Sequence, residues 1–389
     1  MSNIKNVAIF VDYSQEFARR IVYGFMHYVK SESEFEWRFP LISDRLRDVR
    51  VLKGGKNLDG VICPIYSERV SLKLTTLGIP CVNLAMPLTG CTIPAVTFDN
   101  YQIGRAAAKH LLSSDAVDYI FICENSAPYN QLRWRGFCEA IEDAGMSARR
   151  VLYRVKKKEI EVAGRLGNPS ALIPHLKKRQ LPLGVFASWD YVGFNVMSAL
   201  TLAGLECPQQ VRVVSVDNDS FYCLLTSPQM SSVDINPESV GYRAGMKLES
   251  IFKGEKQRSD DPILIPPGDL AIRGSSDTLH LEHPNIAQAI TIINEDFHQG
   301  INVGDLVNRM PISRRTLETQ FRKVLGKSVH EVILEIRMQK ARQLLKRTYL
   351  SIDEVSLRVG FKSQQNFHVA FKRETGMSPR DYRKINFMN

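Results

Sequence analysis

Two segments near the C-terminus carry the same side-chain types at the same spacing, fifty positions apart. Ser313 aligns with Ser363, Leu317 with Phe367, Phe321 with Phe371 and Gly326 with Gly376. The basic pair Arg322-Lys323 aligns with Lys372-Arg373. Paired cations on a short helix suit phosphate oxygens, the contacts that set a protein's register on a duplex. Charge is distributed to match. Residues 284–389 hold 18 Lys and Arg against 10 Asp and Glu, about +8, whereas the whole chain of 389 residues is +10. About a quarter of the chain thus supplies most of the positive field, the footprint of a phosphate-contacting surface.

The same segments supply the elements that would hold these cations. Ser313 and Ser363 can each cap a helix, offering a hydroxyl to the orphan N–H groups of the first turn. Apolar residues follow at i and i+4, so one face packs and the other stays free. Gly326 and Gly376 then stop each helix. A shorter helical run precedes each copy, Val303 to Met310 before Pro311 and Ile352 to Val359 before Gly360. Short helix, tight turn and capped second helix make a helix-turn-helix. One such pattern could belong to an ordinary helical bundle; two in register argue against that. Between them, Val329, Val332, Ile333, Ile336, Ala341, Leu344 and Leu345 fall at helical spacing over Ser328 to Lys346. Such a connector spans roughly 28 Å, close to one DNA turn of roughly 34 Å, so both second helices are expected to enter adjacent major-groove segments.

Residues 286–384 resemble the AraC/XylS-type DNA-binding domain. The resemblance is carried by Gly360, Phe361, Ser363, Gln364, Phe367, Phe371 and Lys372, then by Gly376, Ser378, Pro379, Tyr382 and Arg383. It implies an all-α domain in which Arg315, Glu318 and Thr319 face bases in the first motif, and Gln364, Gln365, His368 and Val369 in the second. The chemistry suits those roles: Arg can grip guanine, Gln adenine, Glu can accept from cytosine, and Val can touch a thymine methyl. Arg314, Arg322, Lys323, Lys372 and Arg373 are then the phosphate contacts.

From Asn6 to about Gln210 strand-like and helix-like stretches alternate in two sets. The first opens with Val7 to Val11 and a helical run from Gln15 to Lys30. The second opens with Asp118 to Cys123 and a helix over Asn130 to Gly145, and continues to Val211–Val216. Repeated βαβ units imply parallel sheets with helices on both faces. Two sets in series imply two lobes, with a ligand held at the carboxyl ends of strands in the cleft between them.

Ordered phrases support this. Phe98-Asp99-Asn100 comes before Gly104, and Arg133 before Gly136. Asp217 follows Val213–Val216, and then come Ser231 to Asp234, Gly241 with Ala244, and Leu270 with Arg273 and Ser275. In that order they resemble the LacI/GalR-type effector domain, which is like the type I periplasmic sugar-binding proteins. The fold expected is therefore an α/β two-lobed sensor over 1–276, a linker over 277–285, and a reader domain over 286–389 with two helix-turn-helix motifs. The resemblance implies that Arg133 and Asp217 hold ligand hydroxyls; a lobe–lobe salt bridge or a helix-capping carboxylate is the alternative for each. Asp190 fits a ligand or an N-cap role. Trp189 departs from the family pattern but could stack on a sugar. Tyr13 and Ser14, after the first strand, face the same cleft, although Tyr13 could equally be an ordinary core or surface residue. Asp99 reads as a structural partner.

Sensor lobes followed by an AraC-type tail resemble the bacterial activators of xylose operons. This implies a cytoplasmic homodimer that takes a sugar, D-xylose first, binds promoter DNA and engages RNA polymerase. A constitutive DNA binder with a dimerisation platform, or a repressor for another small ligand, stays open as an alternative. No run approaches a membrane span, and Met1 to Lys5 lead directly into strand-like sequence without a signal-peptide pattern. Seven cysteines without a CxxC pair read as reduced thiols, not a metal site or disulfide framework. No phosphate loop, zinc-protease or nucleophile-elbow motif is present, so an enzyme is not expected, nor a cofactor.

Overall fold

The computed structural model describes residues 4–43, 58–153, 167–254, 261–277, 283–347 and 350–388. It divides into two compact units, Met1–Asp277 and Thr278–Asn389.

The first unit is α/β. One sheet has the order β2-β1-β3-β4, built from Glu36–Ser43, Ile4–Phe10, Gly60–Cys63 and Cys81–Asn83, all parallel. The second has the order β12-β10-β9-β8-β6-β7: Leu270–Ala271, Ser231–Val233, Val211–Val216, Leu183–Ala187, Asp118–Cys123 and Ala148–Leu152. Within β6, Ile120 and Ile122 enter one core with Val185 and Val213, while Tyr119, Phe121 and Cys123 enter another with Phe186 and Val214. Both faces of this sheet are covered, which is why its strands read as unbroken apolar runs and not as an alternation.

Two expectations need correction. The sheets are not wholly parallel, because β12 runs antiparallel to β10. The lobes are not simply in series either. After β10 the chain returns to the first lobe, where α8 (Pro237–Phe252) packs on α1 (Glu16–Ser31) and β11 (Ile263–Ile265) pairs with β5 (Val96–Phe98). It then re-enters the second sheet through β12. Short β11 and β12 carry no alternation strong enough to be read as strands. The turn into α3 (Asn100–Leu112) is capped by Asp99, which accepts from Gln102 N at 3.0 Å. Gly104 of α3 and Gly136 of α4 (Pro128–Asp143) let these helices touch. A Cβ on Gly104 would lie 2.1 Å from the Arg133 carbonyl, and one on Gly136 would lie 2.0 Å from that of Tyr101.

Helices α2 (Glu68–Leu77), α5 (Ile173–Lys177), α6 (Asp190–Ala203) and α7 (Ser220–Leu225) complete the described part of this unit, with a 3₁₀ turn at Pro169–Leu172. Residues 151–155 also read as a strand in the sequence; the strand found there ends at Leu152, and residues 154 and 155 lie outside the described residues. Of the linker expected over 277–285, residues 278–282 also lie outside them, and Pro284 already starts a helix. Proline at that position needs no intrahelical N–H partner.

The second unit is all α: α9 (Pro284–Asp296), α10 (Val303–Asn308), α11 (Arg314–Leu325), α12 (Val329–Arg347), α13 (Ile352–Arg358), α14 (Gln364–Thr375) and α15 (Pro379–Met388). Helix α12 serves two cores in turn. Its Val329, Val332, Ile333 and Ile336 pack with Leu306, Leu317 and Phe321, and its Met338, Ala341 and Leu345 pack with Val355, Phe367 and Phe371. Each helix-turn-helix thus has its own core, and one helix ties the two together.

Candidate ligand site and nucleic-acid interface

Because β6, β8 and β9 run parallel as neighbours, their carboxyl ends bring three loops to one edge of the second lobe. These loops carry Glu124-Asn125, Ser188-Trp189 and Asp217-Asn218-Asp219. Arg133, from the first turns of α4, reaches across them. It is buried, its Nε donates to Asn100 Oδ1 at 2.9 Å, and Nη1 donates to the Ser188 carbonyl. Its guanidinium also lies 5.4 Å from the centre of the Tyr129 ring.

Half-buried Asp217 makes no side-chain hydrogen bond to any described residue. Burial pushes its carboxyl well above the usual range, with the positive charge of Arg133 pulling the other way. Asp190 is treated differently. It accepts from Ser215 Oγ, from Ser232 Oγ at 2.7 Å and from the Asp219 amide at 2.6 Å, and burial lifts its carboxyl to about 6. Trp189 occupies the N-cap position of α6, so Asp190 holds the 217–219 loop and does not cap the helix. The Trp189 ring packs at 5.1 Å on Tyr191, and its indole N–H is buried with no hydrogen-bond acceptor among the described residues.

From the first lobe, Tyr13 is exposed. The Ser14 hydroxyl donates to Asp12 Oδ1 at 2.5 Å, and Arg19 Nη1 donates to the Tyr13 and Ser14 carbonyls at 2.7 and 3.1 Å. A bridge between the lobes lies two residues beyond Ser14. Glu16 at the start of α1 accepts from Ser220 N at 2.9 Å and Ser220 Oγ at 2.6 Å at the start of α7. The structure therefore groups Arg133, Asp217 and the Trp189-Asp190 pair on the second lobe, with Tyr13 and Ser14 on a separate first-lobe loop.

Several participants were missed in the sequence. Glu124 accepts from Ser188 Oγ at 3.0 Å and from the Tyr129 hydroxyl at 3.1 Å. It follows β6 directly, so the strand-end rule that singles out Asp217 could have found it. Asn100 and Ser220 left no such signal, because their partners are 33 and 204 positions away.

In the second unit the two reading helices repeat down to burial. Leu317 and Phe321 match Phe367 and Phe371 as fully buried residues. Ser313 Oγ accepts from Thr316 N at 3.1 Å and Ser363 Oγ from Asn366 N at 3.3 Å, while Gly326 and Gly376 end the helices at φ 67° and 75°. Capping boxes at Asn302/Asp305 and Ser351/Glu354 start the preceding helices. Arg314, Arg315, Thr319, Arg322 and Lys323 are exposed on the first helix, and Gln364, Gln365, Val369, Lys372 and Arg373 on the second. Glu318 and His368 are half-buried at matching positions. Glu318 Oε2 accepts from Val329 N at 3.4 Å, and Arg373 pairs with Glu374 at 3.3 Å. A valine that is 71 % exposed on a packed helix has no core to serve, which suits contact with a thymine methyl.

Residues 306–385 match a helix-turn-helix domain family, and residues 108–276 match a periplasmic binding protein-like domain family. The chain is 25% identical over 384 residues to the xylose operon regulatory protein of Haemophilus influenzae, covering 97% of each. It is 25% identical over 389 residues to the protein of the same description from Escherichia coli K12, covering 98% of this chain and 97% of that one. Among solved structures, a xylose-binding transcription activator aligns with a TM-score of 0.60 at 23% identity over 98% of both chains. A cellobiose complex of another transcriptional regulator aligns at 0.56 over 71% of this chain and 85% of that one. No described helix is long and apolar enough to cross a membrane. The chain is a transcription regulator and not an enzyme, and it joins a periplasmic-binding-protein-like domain to a helix-turn-helix domain.

Proposed function

We propose that the chain is a cytoplasmic activator of a pentose-utilisation operon that senses D-xylose. The observation that carries the sensing role is the half-buried Asp217 carboxylate, which has no hydrogen-bonding partner among the described residues and lies in the field of Arg133 at the strand ends. A sugar offers vicinal hydroxyls that donate to such a carboxylate and accept from a guanidinium. Trp189 contributes a flat apolar face, Tyr13 and Ser14 approach from the first lobe, and Asp190 acts by holding the 217–219 loop. The relatives described as xylose operon regulators, matched over nearly their full length, support D-xylose as the sugar.

On the DNA side, Arg315, Glu318, Thr319, Gln364, Gln365, His368 and Val369 read bases, while Arg314, Arg322, Lys323, Lys372 and Arg373 hold phosphates. A homodimer would place four reading helices on promoter DNA and add specificity through tandem half-sites, with RNA polymerase as the partner of activation. Ligand can shift DNA binding by no more than its differential affinity for the two lobe states. Isothermal titration of the purified chain with D-xylose, L-arabinose, D-ribose and D-glucose tests the sensing role. Heat with D-xylose is expected; no heat with any sugar would leave a constitutive DNA binder with a dimerisation platform.

A further inference from the structure

The ligand end of β9 and the point where the chain leaves the sensor unit are joined through one side-chain pair. Asp217 and Asn218 both sit at positive φ, 106° and 54°. Non-glycine residues persist there only when their surroundings hold them. Asn218 is held on three sides. Its backbone N–H donates to Ser232 Oγ at 2.9 Å, its side-chain amide donates to Asp234 at 3.3 Å, and its side-chain oxygen accepts from Arg273 Nη2 at 2.7 Å. A carboxylate only accepts and a guanidinium only donates, so the amide has one orientation that satisfies both.

Each of those two partners leads elsewhere. Asp234 pairs with Arg20 of α1 at 3.0 Å, and Arg20 also pairs with Glu238 at 2.7 Å, so this side of Asn218 reports the position of the first lobe. Arg273 leads to the exit. Its Nη1 donates to the Met230 carbonyl at 2.9 Å and its backbone N–H to Ser231 Oγ at 2.8 Å. Its carbonyl accepts from the amides of Ser276 and Asp277 at 3.2 and 3.1 Å, closing the turn on which the unit ends. Ser276 Oγ is further bonded to Ser231 Oγ at 2.8 Å and to His110 Nε2 at 2.7 Å.

We infer that Asn218 and Arg273 are the positioning pair that couples ligand binding to DNA reading. A ligand bonded to Asp217 sets the adjoining backbone, lobe closure moves Arg20 and Asp234, and the Asn218 amide passes both to Arg273. Arg273 then sets the turn from which the chain continues into the reading unit. The inference rests on the sugar site proposed above. Neither residue is assigned a ligand contact, so their loss separates coupling from binding.

Asn218→Gly tests this on the full chain, since glycine accepts φ 54° and removes only the amide. Sugar affinity is measured by titration with D-xylose and the other three sugars, and amide hydrogen exchange is followed over residues 270–277 with and without the sugar that binds. DNA affinity is measured with and without sugar on a duplex selected from a random pool by the wild-type chain. For wild type, sugar should slow exchange at 270–277 and change DNA affinity by about 5- to 150-fold. Asn218→Gly should bind sugar within about threefold of wild type while both responses vanish, and Arg273→Lys, which keeps the charge but not the fork, should do the same. Sugar binding with both responses intact in the variants would overturn the coupling role and leave the sensor reading standing. Loss of sugar binding in both variants would overturn it too, by placing the pair in the binding site itself. No heat with wild type and any sugar removes the sensor reading, and the coupling role with it.

Discussion

Asp217→Asn should make the sensor more stable and a worse sensor at once. The variant keeps the shape of the side chain, and asparagine tolerates the positive φ of 106°. It breaks no existing hydrogen bond, because the carboxylate has none among the described residues. What it removes is a charge that burial disfavours. The carboxyl is raised in the folded protein relative to the unfolded chain, so the folded state binds the proton more tightly. Stability is therefore lost as pH rises from the unfolded value towards the folded one, and above that window the wild type carries the full penalty. An unpaired buried polar group costs on the order of 1–3 kcal/mol; for a half-buried one, about 1 kcal/mol is a fair expectation. Removing it should raise Tm by roughly 2 °C in a unit of this size. The ligand side has the opposite sign. Hydrogen bonds to a charged acceptor contribute about 1.5–3 kcal/mol against about 0.5–1.5 for a neutral one, so sugar affinity should fall by roughly tenfold. Calorimetric unfolding at pH 5 and pH 7.5, with sugar titration on the same preparations, reads both. An Asp217→Asn protein with wild-type Tm and wild-type sugar affinity would remove this residue from the pocket and with it the chemistry proposed for the site.

Three further outcomes follow from named contacts. Arg315→Ala should cost about 1–3 kcal/mol on the selected DNA site and relax preference at one base pair, whereas Lys323→Ala should weaken all sequences alike and reduce the salt slope by about one unit; equal losses on random DNA would show the roles to be misassigned. Arg133→Ala should abolish sugar binding while basal DNA affinity persists. Because it also strips Asn100 and the Ser188 carbonyl of their donor, a lowered Tm should accompany it, and unchanged sugar affinity would exclude Arg133 from the pocket. Glu16→Gln weakens the acceptor facing both Ser220 donors, so sugar should dissociate faster with little change in association, which stopped-flow fluorescence of the tryptophans would detect.

How far the sequence could be read depended on how local each feature is. The reading helices were visible almost residue by residue, because their caps, apolar pairs and terminal glycines lie within fourteen positions of one another and occur twice. Strands β6, β8 and β9 were legible as apolar runs because both faces of their sheet are buried. The return of α8 and β11 to the first lobe was not, since it depends on pairings such as Ile263 with Val96, and nothing local marks a partner so distant. Site residues divided the same way. Asp217 announced itself by ending a strand, whereas the Glu16–Ser220 bridge joins two residues with ordinary neighbours and no shared motif. Asp190 was left between two roles because its three donors come from positions 215, 219 and 232.

The same contrast bears on how such a chain can regulate. A helix-turn-helix with its own core and its own caps has little internal freedom to respond to a distant ligand, and here Leu317 and Phe321 close one copy while Phe367 and Phe371 close the other. The adjustable contacts lie in the sensor, where polar side chains from far-apart segments meet: Arg20 with Asp234 and Glu238, Asn218 with Arg273, and Glu16 with Ser220. Each joins elements that the chain connects only through long excursions, so a modest change in lobe angle must stretch or break some of them. A ligand acting on this regulator would then alter where the reading unit is presented and leave its internal structure alone. Amide exchange within 314–325 and 364–375 should accordingly be the same with and without sugar in the absence of DNA, while exchange at 270–277 changes. Sugar-dependent exchange inside the reading helices themselves would refute that division of labour.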